Sequence, residues 1–328
     1  MAPEIDACHT RLSISILAAM ARKKDAISKI QTYQKFTTQK VLSQISFHNT
    51  QADRRTDADP LSREDNMRTQ EQSVEKEMRV HGRRWETIHG SYFSDPEAAR
   101  PLVEAICHAI DLSHPDVVAD LGGGTGFILK ELLRRRALPG VRLVNVDISP
   151  SQLQECQDDR ITPLQASVAQ VTRQDLAAGE DGLLLVARAI LHYFSQPAQR
   201  QLLSHLRGQQ KEGELFVHHS SCFQNAKDAE CLSLLYERMG TQKWFGTLAE
   251  MEALLKEEGW SICQIRPAPK IPLDSTDLAE RYGLSPQQTI SIREEIGEKY
   301  GQKAEVFTFT EDGFRAWLQA YIFTCKAV

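Results

Sequence analysis

One short unit near the middle of the chain constrains its fold more than any other. The apolar run Val117–Leu121 predicts a buried strand, and the periodic segment Phe127 to Arg136 predicts a helix. The loop between them carries four glycines, Gly122, Gly123, Gly124 and Gly126. Glycine permits positive φ and close approach of a ligand to the backbone. The free N–H groups at a helix N-terminus favour a polar or anionic group. The unit therefore predicts a loop that binds a nucleotide-like ligand.

Two aspartates narrow the choice of ligand. Asp120 directly precedes the glycines, where a carboxylate can accept from an ammonium group and would repel a pyrophosphate. Asp147 ends the next predicted strand, 21 residues beyond Gly126, where it can accept from both hydroxyls of a ribose. The Gly-x-Gly-x-x-Gly pattern of dinucleotide sites is missing, because Phe127 stands where its last glycine would be. A purely structural glycine turn is the alternative.

Strands and helices alternate along the rest of the chain. Asp95 and Pro96 predict the start of a helix that precedes the first strand. Further strands are predicted at 142–147, 161–166, 182–187, 214–218, 260–265 and 321–326, and further helices at 151–158, 196–207, 225–239 and 248–258. Residues 268–302 are predicted to be a charged, mostly helical insert. This alternation predicts an α/β fold with a Rossmann-like, doubly wound sheet covered on both faces.

Residues 116–222 resemble the class I methyltransferases that depend on S-adenosylmethionine (SAM), through Asp120, the glycine loop and Asp147. The resemblance implies a seven-stranded, mostly parallel sheet whose last strand is antiparallel. It implies SAM as cofactor and S-adenosylhomocysteine as product. It also implies the cofactor-binding residues Asp120, Gly122, Gly123, Gly124, Gly126, Asp147, Ile148, Ala166 and Ser167. Arg188, directly after the fourth predicted strand, is also predicted to lie in the cofactor site as a salt-bridge partner, and a substrate anchor is the alternative. Many members carry an acid at Ala166-Ser167 for the adenine amino group, so Ser167 or a backbone carbonyl must serve here.

The segment Arg188–Phe194 follows the fourth predicted strand and faces the methyl group in this family. Its Arg-x-x-Leu-His-Tyr pattern resembles small-molecule O-, N- and C-methyltransferases, and it lacks the Asn/Asp-Pro-Pro-aromatic motif of adenine and glutamine methyltransferases. His192 is predicted to be catalytic, as a base for a hydroxyl or amine. A structural histidine is the alternative, because positioning alone can support methyl transfer. Substrate contacts are predicted at Tyr92, Tyr193, His219 and Trp244. No metal is predicted, because the pair His218-His219 has no acids at ligand spacing.

The flanking regions are predicted to select the substrate. Residues 1–94 are predicted to be a helical extension for capping and dimerisation. Residues 95–328 are predicted to be the SAM-binding domain, with helical lid insertions at 223–246 and 268–318. Aromatic segments at 85–93 and 244–245 are predicted to close over the site and exclude water. The predicted activity is SAM-dependent methylation of a small molecule by a homodimer, with oxygen preferred over nitrogen or carbon as acceptor atom.

Composition leaves alternatives for partners and location. Residues 9–51 hold seven Lys/Arg and one acid, which favours either a packed basic helix or an organelle transit peptide. That stretch keeps open a methyltransferase acting on protein or RNA, although the net charge of −5 disfavours nucleic acid. A SAM-binding partner protein without catalysis is a further alternative. Seven cysteines without CxxC spacing predict a reducing cytoplasm. The apolar run 14–20 is too short for a membrane span.

Overall fold

The computed structural model describes residues 88–328, apart from positions 178, 180 and 242. Within them one sheet holds seven strands in the order β3-β2-β1-β4-β5-β8-β6, and a short β7 pairs with β8. Neighbours from β3 to β5 are parallel, whereas β8 is antiparallel to both β5 and β6. The predicted Rossmann-like sheet with an antiparallel last strand is confirmed. The strands are β1 (Val117–Leu121), β2 (Arg142–Asp147), β3 (Ile161–Gln165), β4 (Leu183–Arg188), β5 (Leu215–Ser221), β6 (Trp260–Asp274), β7 (Phe307–Phe309) and β8 (Phe314–Ala327).

Helices cover both faces of the sheet. The described helices are α1 (Pro96–Ser113), α2 (Phe127–Arg135), α3 (Pro150–Gln154), α4 (Arg173–Leu176), α5 (Gln196–Gly208), α6 (Ala226–Arg238), α7 (Leu248–Glu257), α8 (Ser275–Tyr282) and α9 (Pro286–Tyr300). Apolar side chains of α1 and α2 pack on one face, and those of α4, α5 and α7 pack on the other. The predicted start of α1 is confirmed, since the Asp95 side chain accepts from Glu97 N and Pro96 opens the helix. Both faces of the central parallel strands β1, β4 and β5 are therefore buried, whereas the edge strand β3 is mostly exposed.

A further hydrophobic core, which we call the outer core, lies beyond the sheet's parallel part. It consists of buried residues from α6, α8, α9 and β7 and from the distal halves of β6 and β8. The two long strands pair there from Ile271↔Leu318 to Asp274↔Arg315. Tyr92 and Phe93, which precede α1, are part of the same core. The segment before α1 is thus packed against elements that follow β5 in the sequence.

Four predicted boundaries are wrong. The helix predicted at 151–158 ends at Gln154. The strand predicted at 214–218 extends through Ser221, so His219 lies inside the strand and not after it. Residues 268–274 continue β6 and are not helical, and 314–318 belong to β8. Three prolines within β6 make it look unlike a strand, but β6 is the last strand of the sheet order, where a missing N–H donor is tolerated.

Several predictions lie outside the described residues. These are the N-terminal helices, the basic stretch 9–51 and Trp85. Within residues 88–328, every helix is too short or too polar to cross a lipid bilayer.

Candidate functional site

The glycine loop closes over the carboxyl end of β1. Gly122, Gly124 and Gly126 have φ of +68°, +56° and +73°, a region that residues with a Cβ rarely adopt. Gly122 N and Gly123 N both donate to Val146 O, at 2.8 and 3.1 Å, which fastens the loop to the end of β2. Gly126 precedes α2 as an N-cap without a side-chain bond. The first N–H groups of α2 are therefore free of a capping side chain.

Gly123 is required by close packing. A Cβ at this position would lie 2.1 Å from Asn145 Oδ1 and 2.7 Å from Asp120 Oδ2. Asn145 is fully buried in β2, and its Nδ2 donates to Gly124 O at 2.8 Å. Asn145 therefore holds the loop from below, and our sequence analysis missed it. The available signal was one amide side chain inside an otherwise apolar strand.

Asp120 lies beneath the loop and is completely buried. Within the described residues, neither of its carboxylate oxygens accepts a hydrogen bond. Burial raises the pKa of Asp120 to about 7, with the charge of Arg188 opposing the rise and that of Asp147 adding to it. A buried carboxylate without donors is unfavourable. An ammonium group brought into the loop would supply both donors and charge, so the site fits the amino group of SAM.

Asp147 ends β2 beside the same loop. Its Oδ2 accepts from Gly124 N at 2.9 Å and its Oδ1 from Ser149 N at 2.8 Å. Burial raises its pKa, and the backbone hydrogen bonds oppose the rise. Each oxygen retains lone-pair capacity for a hydroxyl donor. Ile148, the next residue, is 45% exposed although it is apolar, which suits an aromatic ring stacked on it.

Ala166 and Ser167 lie at the adjacent end of β3. Ala166 N donates to Asp147 O at 3.1 Å, so both residues are next to the predicted ribose acid. Ser167 Oγ accepts from Ala169 N at 3.3 Å. The structure thus gathers the residues predicted for the ribose and adenine ends of the cofactor at the ends of β2 and β3.

Arg188 is buried at the end of β4, and its guanidinium group donates hydrogen bonds to backbone carbonyls of the segment before α1. Its Nη1 donates to Phe93 O and its Nη2 to Tyr92 O, both at 3.0 Å. Its guanidinium carbon lies 5.1 to 5.7 Å from the ring centres of Tyr92, Phe93 and Phe127. Arg188 therefore anchors the segment before α1, a role that the sequence did not predict.

His219 lies beside Arg188 in register on β5 and contacts Tyr92. Tyr92 Oη donates to Pro269 O at 2.8 Å, so it accepts from His219 Nε2 at 3.1 Å. Burial lowers the pKa of His219 to about 3, and the charge of Arg188 contributes. The imidazole is therefore neutral and carries its proton on Nε2. His218 points to the opposite face, where it bonds Ser220 Oγ and stacks on Phe323, so it is a core residue.

The segment after β4 brings three predicted residues together. Ala189 has φ of +57°. Ile190 packs against the glycine loop, because a Cβ at Gly122 would lie only 2.7 Å from Ile190 Cγ2. His192 is buried and its ring stacks on Phe245 at 5.4 Å. Trp244 N donates to His192 O at 3.3 Å. His192, Tyr193 and Trp244 are thus neighbours, while Tyr92 and His219 meet each other at β5.

Other features of residues 88–328 lie apart from this arrangement. Among them, no three His, Cys, Asp or Glu side chains are grouped as metal ligands would be. A crevice of about 210 Å³ is lined by residues of α6, of β7 and of the end of α9 with the loop that follows it, among them Asp228, Lys303 and Phe307. None of the predicted site residues lines it.

A known protein family matches the central part of the chain, and known proteins match a little under half of it. The model of the methyltransferase domain family matches residues 118–213. A trans-aconitate 2-methyltransferase from Pseudomonas paraeruginosa is 34% identical over 148 residues, which are 45% of this chain and 50% of that protein. The chain spans about half the length of the curated relatives it matches.

Two solved structures share the fold. The YcgJ protein from Bacillus subtilis has 13% identity and a TM-score of 0.54, over 70% of this chain and 98% of its own. A candidate methyltransferase from Bacillus halodurans has 11% identity and a TM-score of 0.53, over 68% and 97%. At these identities the likeness concerns the fold alone. The fold, the glycine loop with its two aspartates and the family match agree that residues 118–213 form a methyltransferase domain.

Proposed function

We propose that this protein transfers the methyl group of SAM to an oxygen of a small-molecule acceptor. The observation that carries the proposal is the buried Asp120 carboxylate beneath the glycine loop, whose oxygens accept no hydrogen bond from any residue that the structure describes. SAM supplies a methyl group already activated on a sulfonium. The protein's task is then mainly to hold donor and acceptor in line and to exclude water.

The cofactor residues have separate roles in this proposal. Asp120 accepts from the ammonium group, and the glycine loop admits the methionine part close to the backbone. Asp147 accepts from the ribose hydroxyls. Ile148, Ala166 and Ser167 surround the adenine. Arg188 contributes by fixing Tyr92 and Phe93 over this end of the sheet.

The acceptor is proposed to bind where His192, Tyr193 and Trp244 meet, with Tyr92 and His219 on the far side. The matched relatives are named for trans-aconitate, a tricarboxylate whose nucleophilic atoms are oxygens, which supports a small molecule and O-methylation. His192 is proposed to contact the acceptor. A hydroxyl acceptor would give its proton to this imidazole, whereas a carboxylate has none to give. The homodimer, the cytoplasmic location, the domain division and the lid role of the two insertions stay predictions.

A pair of glycine substitutions tests the cofactor site. G123A places a methyl group against Asn145 and Asp120, so we expect SAM affinity in calorimetry to fall by about 100-fold or more. G208A is the matched control, because Gly208 is exposed at the end of α5 and a Cβ there meets nothing within 4 Å. Equal affinities of the two variants would refute the assigned loop. Asp147→Ala should also weaken SAM binding, and unchanged binding would remove its ribose role.

Methyl transfer is then measured directly. We expect radiolabelled methyl from SAM to enter at least one member of a panel of small hydroxy and carboxylic acids. His192→Ala should lower kcat for that acceptor without weakening SAM binding. SAM binding without any transfer to small molecules would favour the non-catalytic alternative, and transfer only to protein or RNA would favour the macromolecular one.

A further inference from the structure

We infer that Arg281 and Lys243 form an anion subsite of the acceptor pocket, which takes a carboxylate group of the methyl acceptor. The inference rests on the proposed function, because it names the chemical class of the acceptor. It concerns residues of the outer core and of the loop before α7. None of them is among the residues assigned to the cofactor.

Lys243 places a positive charge in the interior beside the segment after β4. Only 6% of the residue is exposed. Its Nζ lies 4.3 and 4.7 Å from the ring centres of Tyr193 and Tyr236 and donates to Tyr282 Oη at 3.2 Å. We call Tyr193, Tyr236 and Tyr282 the tyrosine cluster. Aromatic faces attract a cation, so the cluster holds the ammonium group in one place.

The tyrosine cluster adjoins the place proposed for methyl transfer. Tyr193 directly follows His192, and their rings are 4.6 Å apart. Trp244, the residue after Lys243, donates its backbone N–H to His192 O. An anion bound at the Lys243 ammonium group would therefore lie next to His192. That position suits a group that orients the acceptor.

Arg281 supplies hydrogen-bond donors that the described chain does not use. Its side chain is 2% exposed, and it forms an ion pair with Asp277 at 3.0 Å, one turn earlier on α8. Its Nε and Nη1 have no hydrogen-bond partner within the described residues. Buried donors are nearly always paired in folded proteins. Guanidinium N–H groups bind carboxylates through strong charge-assisted hydrogen bonds, so the unused donors point to such a ligand.

One ring connects the two cations. The Arg281 guanidinium carbon lies 5.6 Å and the Lys243 Nζ 6.0 Å from the centre of the Tyr282 ring. Lys243 extends from the loop before α7 and Arg281 from α8, so two elements of different sequence position bring positive charge to one tyrosine. A carboxylate with a second polar group, as in a di- or tricarboxylate, matches two cations better than a neutral acceptor does.

The test measures binding to the full chain saturated with S-adenosylhomocysteine. The probes are a panel of mono-, di- and tricarboxylates that includes trans-aconitate, the neutral trimethyl ester of trans-aconitate, and inorganic phosphate. We expect at least one carboxylate to bind, the ester and phosphate to bind more weakly, and R281Q and K243Q each to weaken the carboxylate by about tenfold or more. R315Q is the matched control, since Arg315 is 64% exposed on β8 and should leave the affinity within about twofold.

The outcomes separate the subsite from the proposed function. Binding of S-adenosylhomocysteine without binding of any carboxylate overturns the subsite and leaves the cofactor site intact. Loss of S-adenosylhomocysteine binding by the unsubstituted protein instead overturns the proposed function. Equal carboxylate affinity in R281Q, or tighter binding of phosphate than of every carboxylate, also overturns the subsite. Should R281Q fail to fold, R281K decides, because it keeps the charge but loses the guanidinium donors, and its unchanged affinity would refute the role of Arg281.

Discussion

At the scale of single residues, the proposed role of Asp120 implies that ligand binding is coupled to its protonation. Burial is the largest cause of its raised pKa, and no hydrogen-bond donor within the described chain compensates it. Near neutral pH, ligand-free molecules with a protonated Asp120 and molecules with an ionised Asp120 are therefore both populated. An adjacent ammonium group favours the ionised state. Asp120, which we propose binds the amino group of SAM, should therefore also destabilise the ligand-free protein.

We predict that Asp120→Asn stabilises the ligand-free protein at alkaline pH. The folded-state pKa of about 7 exceeds the ordinary 3.8, so ionisation opposes folding. The destabilisation is absent below about pH 4 and complete above about pH 7, where it reaches at most about 4 kcal/mol. Urea denaturation from pH 4 to 8 should show the variant's advantage increasing with pH, while its affinity for SAM falls by about 10- to 100-fold. An advantage that increases on acidification would contradict this account.

At the scale of elements, the segment before α1 is attached to three strands of the sheet, β4, β5 and β6. Arg188 on β4 binds its carbonyls, and the Tyr92 hydroxyl connects His219 on β5 with Pro269 on β6. The 3₁₀ turn Ile88–Ser91 contains three successive residues with positive φ, which is unfavourable unless neighbouring contacts maintain it. His89 Nδ1, 3.1 Å from Pro272 O, is one such contact. Tertiary contacts therefore hold this segment in place.

Tyr92→Phe tests that attachment. The substitution removes one hydroxyl and leaves His219 Nε2 and Pro269 O without their buried partner, so we expect the free energy of unfolding to fall by about 1–3 kcal/mol. Tyr321→Phe is the control, because its hydroxyl bonds Gln224 at the protein surface. The control should change stability by less than about 0.5 kcal/mol. Similar losses for both variants would show that the Tyr92 hydroxyl has no special role.

At the scale of the whole described region, two continuous strands join the cores. β8 contributes Phe323 and Cys325 to the core that α4, α5 and α7 form on one face of the sheet, which we call the core beneath the sheet. It also contributes Phe314 and Leu318 to the outer core. β6 does the same with Trp260 and Ile271. The backbone pairing of β6 and β8 extends through both cores. Unfolding of one core would therefore break strand pairing that the other core also needs. We therefore expect the two cores to unfold together.

Two leucine truncations test this cooperativity. Leu203 in the core beneath the sheet and Leu235 in the outer core are each fully buried. Leu203→Ala and Leu235→Ala should each lower the free energy of unfolding by about 2–5 kcal/mol. In hydrogen exchange, either substitution should reduce protection by the same factor in peptides of α5 and α6. Loss confined to the substituted core would show that the outer core opens independently.

The amino-acid sequence alone predicted the features that depend on local pattern. The glycine loop, the aspartates at its two sides and the order of strands and helices follow from motif spacing and hydrophobic period, which neighbouring residues determine. The antiparallel last strand was also predicted, because the resemblance to the class I methyltransferases implies it. The lengths of β6 and β8 did not, because a strand extends as far as its partner does, and prolines in an edge strand conceal that extent.

The tertiary structure decided which polar groups meet. Asn145 supports the loop only because β2 lies beside β1, and Arg188 finds its acceptors 95 and 96 residues earlier in the chain. Lys243 and Arg281 approach one tyrosine ring from separate elements. Such contacts depend on the three-dimensional arrangement of distant segments, which no local period records. The sequence therefore determined the glycine loop and its aspartates, and only the fold decided which charged groups lie near the segment after β4.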